Sequence, residues 1–124
     1  MGREAVIIEG GSPAAVGATF KAFLNALKRI LGPHEEPMIN VIGLYRERTW
    51  RLVIFPRRKH RPEAFFRTGD ARVAVSPAVV EMGGILVTPF ARDFERLDAA
   101  AVEAIYKEVS LERLSVEKAI DAIR

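Results

Sequence analysis

Five consecutive side chains, Arg57, Arg58, Lys59, His60 and Arg61, are cationic or titratable, and Pro56 and Pro62 bound them. Adjacent guanidinium and ammonium groups suit phosphate oxygens, and the planar guanidinium does so as a two-pronged donor. The prolines limit backbone freedom at both ends, so fewer conformations are lost when the loop closes on a polyanion. Binding of a phosphate-bearing ligand is the chemistry these residues fit. A solvated basic loop without a ligand has the same appearance, and both readings stay open on charge alone. His60 also has the side chain of a nucleophile or general acid near phosphates.

A second group is Ser76-Pro77-Ala78-Val79-Val80-Glu81-Met82-Gly83-Gly84, an apolar stretch with one acid that closes on paired glycines. Gly83 and Gly84 permit close backbone approach, either to a ligand's base or sugar or to a packed neighbour. Asn40, inside an apolar run, offers the same pair of roles: contact with a base or sugar, or satisfaction of buried backbone groups. A self-contained catalytic set is missing. His34 and His60 are the only histidines and form no H-x-H arrangement, so no metal site of the usual clustered kind is expected. Nor does the chain contain a G-x-S-x-G elbow, a P-loop or a G-x-G-x-x-G after a strand. No catalytic residue, metal or cofactor is assigned.

The positive charge is local. From Arg46 to Arg67 eight bases face two acids, a net of +6, whereas the remainder is net −3, giving +3 overall. Arginines outnumber lysines fourteen to five, which suits phosphate recognition and equally reflects a GC-rich or thermophilic source. The 124 residues are enough for one core and too few for two full domains, so a single domain over 1–124 is expected. Hydrophobic residues at 49% and charged residues at 28% exclude a disordered or fibrous chain. The absence of cysteine removes disulfide, thiolate-metal and cysteine-nucleophile chemistry. No apolar run reaches membrane-spanning length and the N-terminal apolar stretch is too short for a secretory signal, so no membrane association and a cytoplasmic address are expected.

The elements that must carry these residues follow from punctuation and periodicity. Glu4 to Glu9 reads as a strand ended by Gly10-Gly11. Ser12 as N-cap and Pro13 at the first position predict a helix to Leu31, with its apolar stripe on Val16, Phe20, Phe23, Leu24 and Leu27, and Gly32-Pro33 as the stop. Met38 to Tyr45 and Thr49 to Phe55 predict an antiparallel hairpin. The second of these strands has apolar residues on both faces, so it belongs inside the sheet, and Trp50 is expected to pack with Leu52 and Ile54. Ala71 to Val75 and Gly84 to Thr88 read as further short strands. Asp98 caps a helix over Ala99 to Val109, and Ser115 caps a last helix through Ile123. The expected class is α+β: an antiparallel sheet with one N-terminal helix and two C-terminal helices packed on it.

Three runs together carry a family resemblance: Met38-Ile39-Asn40-Val41-Ile42-Gly43-Leu44-Tyr45, then Trp50 through Pro62, then Ser76-Pro77 through Met82-Gly83-Gly84-Ile85-Leu86-Val87-Thr88-Pro89. They resemble the C-terminal part of ATP adenylyltransferase-like proteins, which include diadenosine tetraphosphate phosphorylases and nucleotide-sugar phosphorylases of the histidine-triad superfamily. The resemblance covers about Glu36 to Asp98. In that family a covalent histidine intermediate forms in an H-x-H-x-H or H-x-H-x-Q motif N-terminal to the matched region, and this chain lacks that motif. The resemblance implies an accessory domain that binds a nucleotide or phosphorylated sugar through Arg57, Arg58, Lys59, His60 and Arg61. Catalysis would then need a histidine-triad partner chain, or two copies pairing through an exposed strand. The alternative is a non-catalytic assembly module whose basic hairpin meets RNA or an acidic protein, with Trp50, Phe55, Phe65 and Phe66 as nearby rings.

Overall fold

In the computed structural model, residues 2–124 are described. Strand β1 (Val6–Gly10) leads into helix α1 (Pro13–Leu31), followed by β2 (Met38–Arg46) and β3 (Thr49–Arg57). Short 3-10 turns cover Glu63–Phe66 and Gly69–Ala71. Four helices then complete the chain: α2 (Val79–Met82), α3 (Ala91–Arg96), α4 (Ala99–Val109) and α5 (Arg113–Asp121). The class is α+β, as the sequence predicts.

The caps of α1 are those expected. Ser12 Oγ accepts from the Ala15 N–H at 3.2 Å, Pro13 opens the helix, and Gly32, at φ 112°, donates its N–H to the Lys28 carbonyl at 3.0 Å. A residue with a Cβ would be strained at that positive φ. Asp98 caps α4 by accepting from the Ala101 N–H at 2.8 Å. Helix α5 starts three residues before the expected point. Glu112 is its N-cap, its carbonyl accepting from the Ser115 and Val116 N–H groups, while the Ser115 hydroxyl donates to the Glu112 carboxylate at 3.1 Å.

The sheet is antiparallel in the order β1-β3-β2, so β3 is internal. Its two apolar faces build two cores. On one face Ile54 and Leu52, with Val6, Ile8, Ile39 and Val41, pack against Val16, Phe23 and Leu27 of α1 and Val116 and Ala119 of α5. On the other, Phe55, Val53 and Ile42 meet Met82, Leu86, Val102, Tyr106 and Val109. Trp50 departs from expectation. It shares its face with Leu52 and Ile54 but stays 38% exposed, because it lies opposite Gly10 at the hairpin end of the sheet, where it stacks on Tyr45 at a ring separation of 4.6 Å instead of entering the core.

Two expected strands are not formed. Ala71 to Val75 is a 3-10 turn followed by extended chain, and its inward groups are satisfied by α3: the Ala74 N–H donates to the buried Asp93 carboxylate at 3.0 Å. Gly84 to Thr88 is extended and outside any ladder, with Leu86 packed on the second core and Ile85 and Val87 exposed. Both are short apolar runs that look like strands in sequence, but a ladder also needs main-chain pairing with a neighbour, and neither segment pairs with an outer edge of the three-stranded sheet.

The β2–β3 turn holds Glu47 at φ 52° and Arg48 at φ 63°, positions that two-residue hairpins normally give to Asn-Gly. Left-handed backbone costs a side-chain-bearing residue about 1 kcal/mol or more. The double variant Glu47→Asn, Arg48→Gly is therefore expected to raise stability by about 1 kcal/mol, read as a higher midpoint in urea unfolding with an unchanged slope.

Candidate functional site

The basic loop is folded around its own first arginine. Arg57 is the last residue of β3 and is only 3% exposed. Its Nη1 donates to Asn40 Oδ1 on β2, its Nη2 to the carbonyls of Lys59 (3.1 Å) and His60 (2.9 Å), and its Nε to the Val109 carbonyl at 3.3 Å. Burial draws the guanidinium's pKa down from its ordinary value, and the nearby Glu81 carboxylate opposes that pull. A guanidinium without pairing would be costly in such a place; here its donors thread the loop's own backbone.

The C-terminal turn of α4 supplies the second support. The Val109 carbonyl accepts from the Arg58 N–H at 2.9 Å, and the Glu108 carbonyl accepts from Arg58 Nε and Nη2 at 3.3 and 3.0 Å. Cations at the negative end of a helix dipole are favourably placed. The Glu108 carboxylate takes Lys59 Nζ at 2.8 Å and the Glu63 N–H at 2.7 Å, so one side chain ties both ends of the loop. Partial burial alone would push its pKa up. The Lys59 and Glu63 hydrogen bonds and the charges of Lys59 and Arg58 outweigh this and leave it below the ordinary carboxylate value.

The sign of the pH dependence follows. A carboxylate whose folded pKa lies below the unfolded value of about 4.3 stabilises the fold above that pH, and the contribution disappears as pH falls through the folded pKa. Glu108→Gln is expected to be less stable than the parent at neutral pH and to converge on it in acid, measured by urea unfolding from pH 7 to 3.

Around this frame the outer side chains face solvent. Arg61 lies over the Phe65 ring at 4.5 Å and donates through Nε to Ser76 Oγ at 3.0 Å, leaving its two terminal nitrogens pointing outward from a fixed stem. Arg72 covers the same ring at 5.2 Å. His60 and Arg58 are exposed, with Arg58 Nε and Nη2 on the Glu108 carbonyl. The loop thus presents Arg58, Lys59, His60 and Arg61, with Arg57 beneath them as their organiser.

The other expected contacts lie apart from that surface. Asn40 meets the loop only through Arg57. Gly83 closes α2 against β2: a Cβ there would sit 3.2 Å from Ile42 Cδ1 and 3.3 Å from the Val79 and Val80 carbonyls. Gly84, at φ 119°, has Arg3 Nη1 as its neighbour. The close approach these glycines permit is thus to packed protein. Glu81 accepts from the Ala78 N–H at 2.9 Å, and its carbonyl takes the buried Tyr106 hydroxyl, which fixes α2 over the second core. Burial raises the Tyr106 pKa, with the Arg3 charge opposing and Glu81 adding to the shift. Glu108 has no marker in sequence, and although Ser76, Glu81 and Phe65 lie in stretches that the sequence singles out, their contacts to the loop and to α2 show only once the fold gathers them. Among the described residues no group of three or more His, Asp or Glu side chains is placed to hold a metal ion, and no helix is long and apolar enough to cross a membrane.

Geometry also divides the charge. Arg46, Arg48 and Arg51 lie toward the hairpin end of β3 and the Arg57–Arg61 loop at the other, about 20 Å from Arg51 to Arg57 at 3.3 Å per residue and more from Arg48. At the hairpin end Arg51 pairs with Glu9, and Arg46 with Glu47 at 3.4 Å.

A strand-end loop of organised cations on an α+β frame is what the chain carries, and a family model matches it: GDPGP1-like, C-terminal domain, over residues 17–123. The chain belongs to this family, which is related to nucleotidyltransferases and phosphorylases. It is a relative of the ATP adenylyltransferase C-terminal domain that the sequence resembles, not the same domain. Searches of curated proteins and of solved structures returned no match.

Proposed function

We propose that this chain is a phosphate-recognising accessory domain that binds a nucleotide or phosphorylated sugar through Arg58, Lys59, His60 and Arg61. The observation that carries this reading is Arg57: a buried guanidinium whose donors shape the loop backbone before any ligand arrives. Such preorganisation lowers the ordering cost of binding, and it distinguishes the loop from merely solvated charge. The outward cations supply charge-assisted donors to phosphate oxygens. The nucleophile of the transfer reaction comes from a second, histidine-bearing chain, since His34 and His60 form no H-x-H motif here.

The roughly 20 Å or more between the two basic patches favours a compact ligand at one patch over an RNA strand gripped along a continuous basic stretch. The test is differential scanning fluorimetry with ATP, ADP, dinucleoside polyphosphates, sugar nucleotides and inorganic phosphate. A rise in melting temperature with nucleotides that exceeds the rise with phosphate is expected, and no shift at millimolar ligand counts against the proposal.

A further inference from the structure

A cavity of about 470 Å³ lies beside the basic loop, lined by Arg72, Phe90, Ala91 and Arg92. A single ring joins it to the loop: Arg61 lies over Phe65 at 4.5 Å, and Arg72 lies over the same ring at 5.2 Å. Those two guanidinium carbons are therefore no more than about 10 Å apart. Phe90 is the N-cap residue of α3, and its side chain is half-exposed. Arg92 is fixed by its own surroundings. Its Nη2 donates to the Gly69 and Arg72 carbonyls at 3.3 and 3.2 Å, and the Asp70 and Asp93 carboxylates stand 3.6 and 3.7 Å from Nη1 and Nε. Arg72 donates through Nε to the Phe65 carbonyl at 3.1 Å. Guanidinium groups bonded in their own planes leave their faces for stacking.

We propose that this cavity receives the base of a nucleotide whose phosphates are held by the loop, with Phe90 as the stacking ring. The assignment rests on the proposed function and narrows it from phosphorylated sugars to nucleotides. Arg61 and Arg72, on their shared ring, mark the path from the phosphate end of the ligand to the base end.

The chemistry of the walls selects this occupant. The lining is almost entirely apolar although two of its four residues are arginines, because the Arg92 nitrogens are taken up by protein acceptors. The hydroxyls of a sugar placed there would lack partners, as would the oxygens of a second phosphate. A base instead offers a flat face that stacks on an aromatic ring and on guanidinium planes. The volume lies within the range of small-ligand sites. Position excludes the other ring pair: Tyr45 and Trp50 stand at the hairpin end of the sheet, away from a ligand anchored at residues 58–61.

The experiment is isothermal titration with ATP, GTP, CTP, UTP and tripolyphosphate, the last as a base-free control. At least one nucleoside triphosphate is expected to bind about tenfold or more tighter than tripolyphosphate, the effect of one stacked base. Phe90→Ala, a truncation at a half-exposed ring, is expected to abolish that advantage and leave tripolyphosphate affinity unchanged, while Phe90→Trp retains the advantage. Phe66→Ala, at the exposed ring that stands edge-on to Phe65 at 5.3 Å, is expected to change neither affinity. Equal binding of nucleotides and tripolyphosphate by the parent overturns the base site and leaves the phosphate reading standing. An advantage that survives Phe90→Ala, or that Phe66→Ala removes instead, overturns it as well. A Phe90→Ala chain that loses nucleotides and tripolyphosphate alike shows a ring acting only through the fold, which also overturns the proposal. A parent that binds neither kind of ligand sinks the phosphate reading and the base site together.

Discussion

Replacing Arg57 with Ala is expected to destabilise the fold by about 3–5 kcal/mol, the usual cost of removing one partner from a buried charged network. Asn40 Oδ1 and the Lys59 and His60 carbonyls lose the Arg57 donor, and the Val109 carbonyl loses one of the donors it shares with the Arg58 N–H. The Glu81 carboxylate, buried on α2, also loses its facing cation. In a domain of this size the loss corresponds to a fall of roughly 10–20 °C in melting temperature. Arg57→Lys is expected to recover little. An ammonium has three donors on a flexible stem, and it cannot span a side chain on β2, two loop carbonyls and a helix terminus at once. A drop below about 1 kcal/mol for Arg57→Ala would mean that the loop is not organised from beneath.

The binding prediction is larger. Truncating Arg58, Lys59 and Arg61 removes their contacts to Glu108 and Ser76 but leaves the backbone bonds of residues 58 and 59 to Val109 and the Arg57 network, so the triple alanine variant is expected to be less stable yet folded. Each charge-assisted hydrogen bond to a phosphate contributes about 1.5–3 kcal/mol. Even with incomplete additivity, losing three weakens nucleotide binding by at least about a hundredfold. Isothermal titration with ATP checks this. Affinity in the parent should also fall as salt rises, because the contacts are solvent-facing. Equal affinity in parent and variant would remove the loop from the binding surface.

What could be read from sequence is what neighbours along the chain decide. Ser12, Pro13 and Gly32 bracket α1 through hydrogen bonds spanning three or four residues, and the apolar residues on both faces of β3 place it inside the sheet before any partner is known. The basic loop was visible as five adjacent side chains. Its internal division was not, since proximity in sequence does not tell which guanidinium turns inward; Asn40 and Val109, which hold Arg57, lie 17 and 52 residues away. The same limit explains Gly84 to Thr88. Its short apolar run reports a segment packed partly on a core, and only pairing with a neighbouring strand makes such a segment a strand. Trp50 shows the converse: its face was right, but a face has ends, and no periodicity marks where the covering helix stops.

The most direct test of the account is an amide chemical-shift titration of the 13.8 kDa chain with ATP. The account predicts shifts concentrated at residues 58–61, with Ser76 and Glu108 following through their side-chain contacts to Arg61 and Lys59. An absence of shifts at millimolar nucleotide, or shifts confined to surfaces away from the loop, would contradict it.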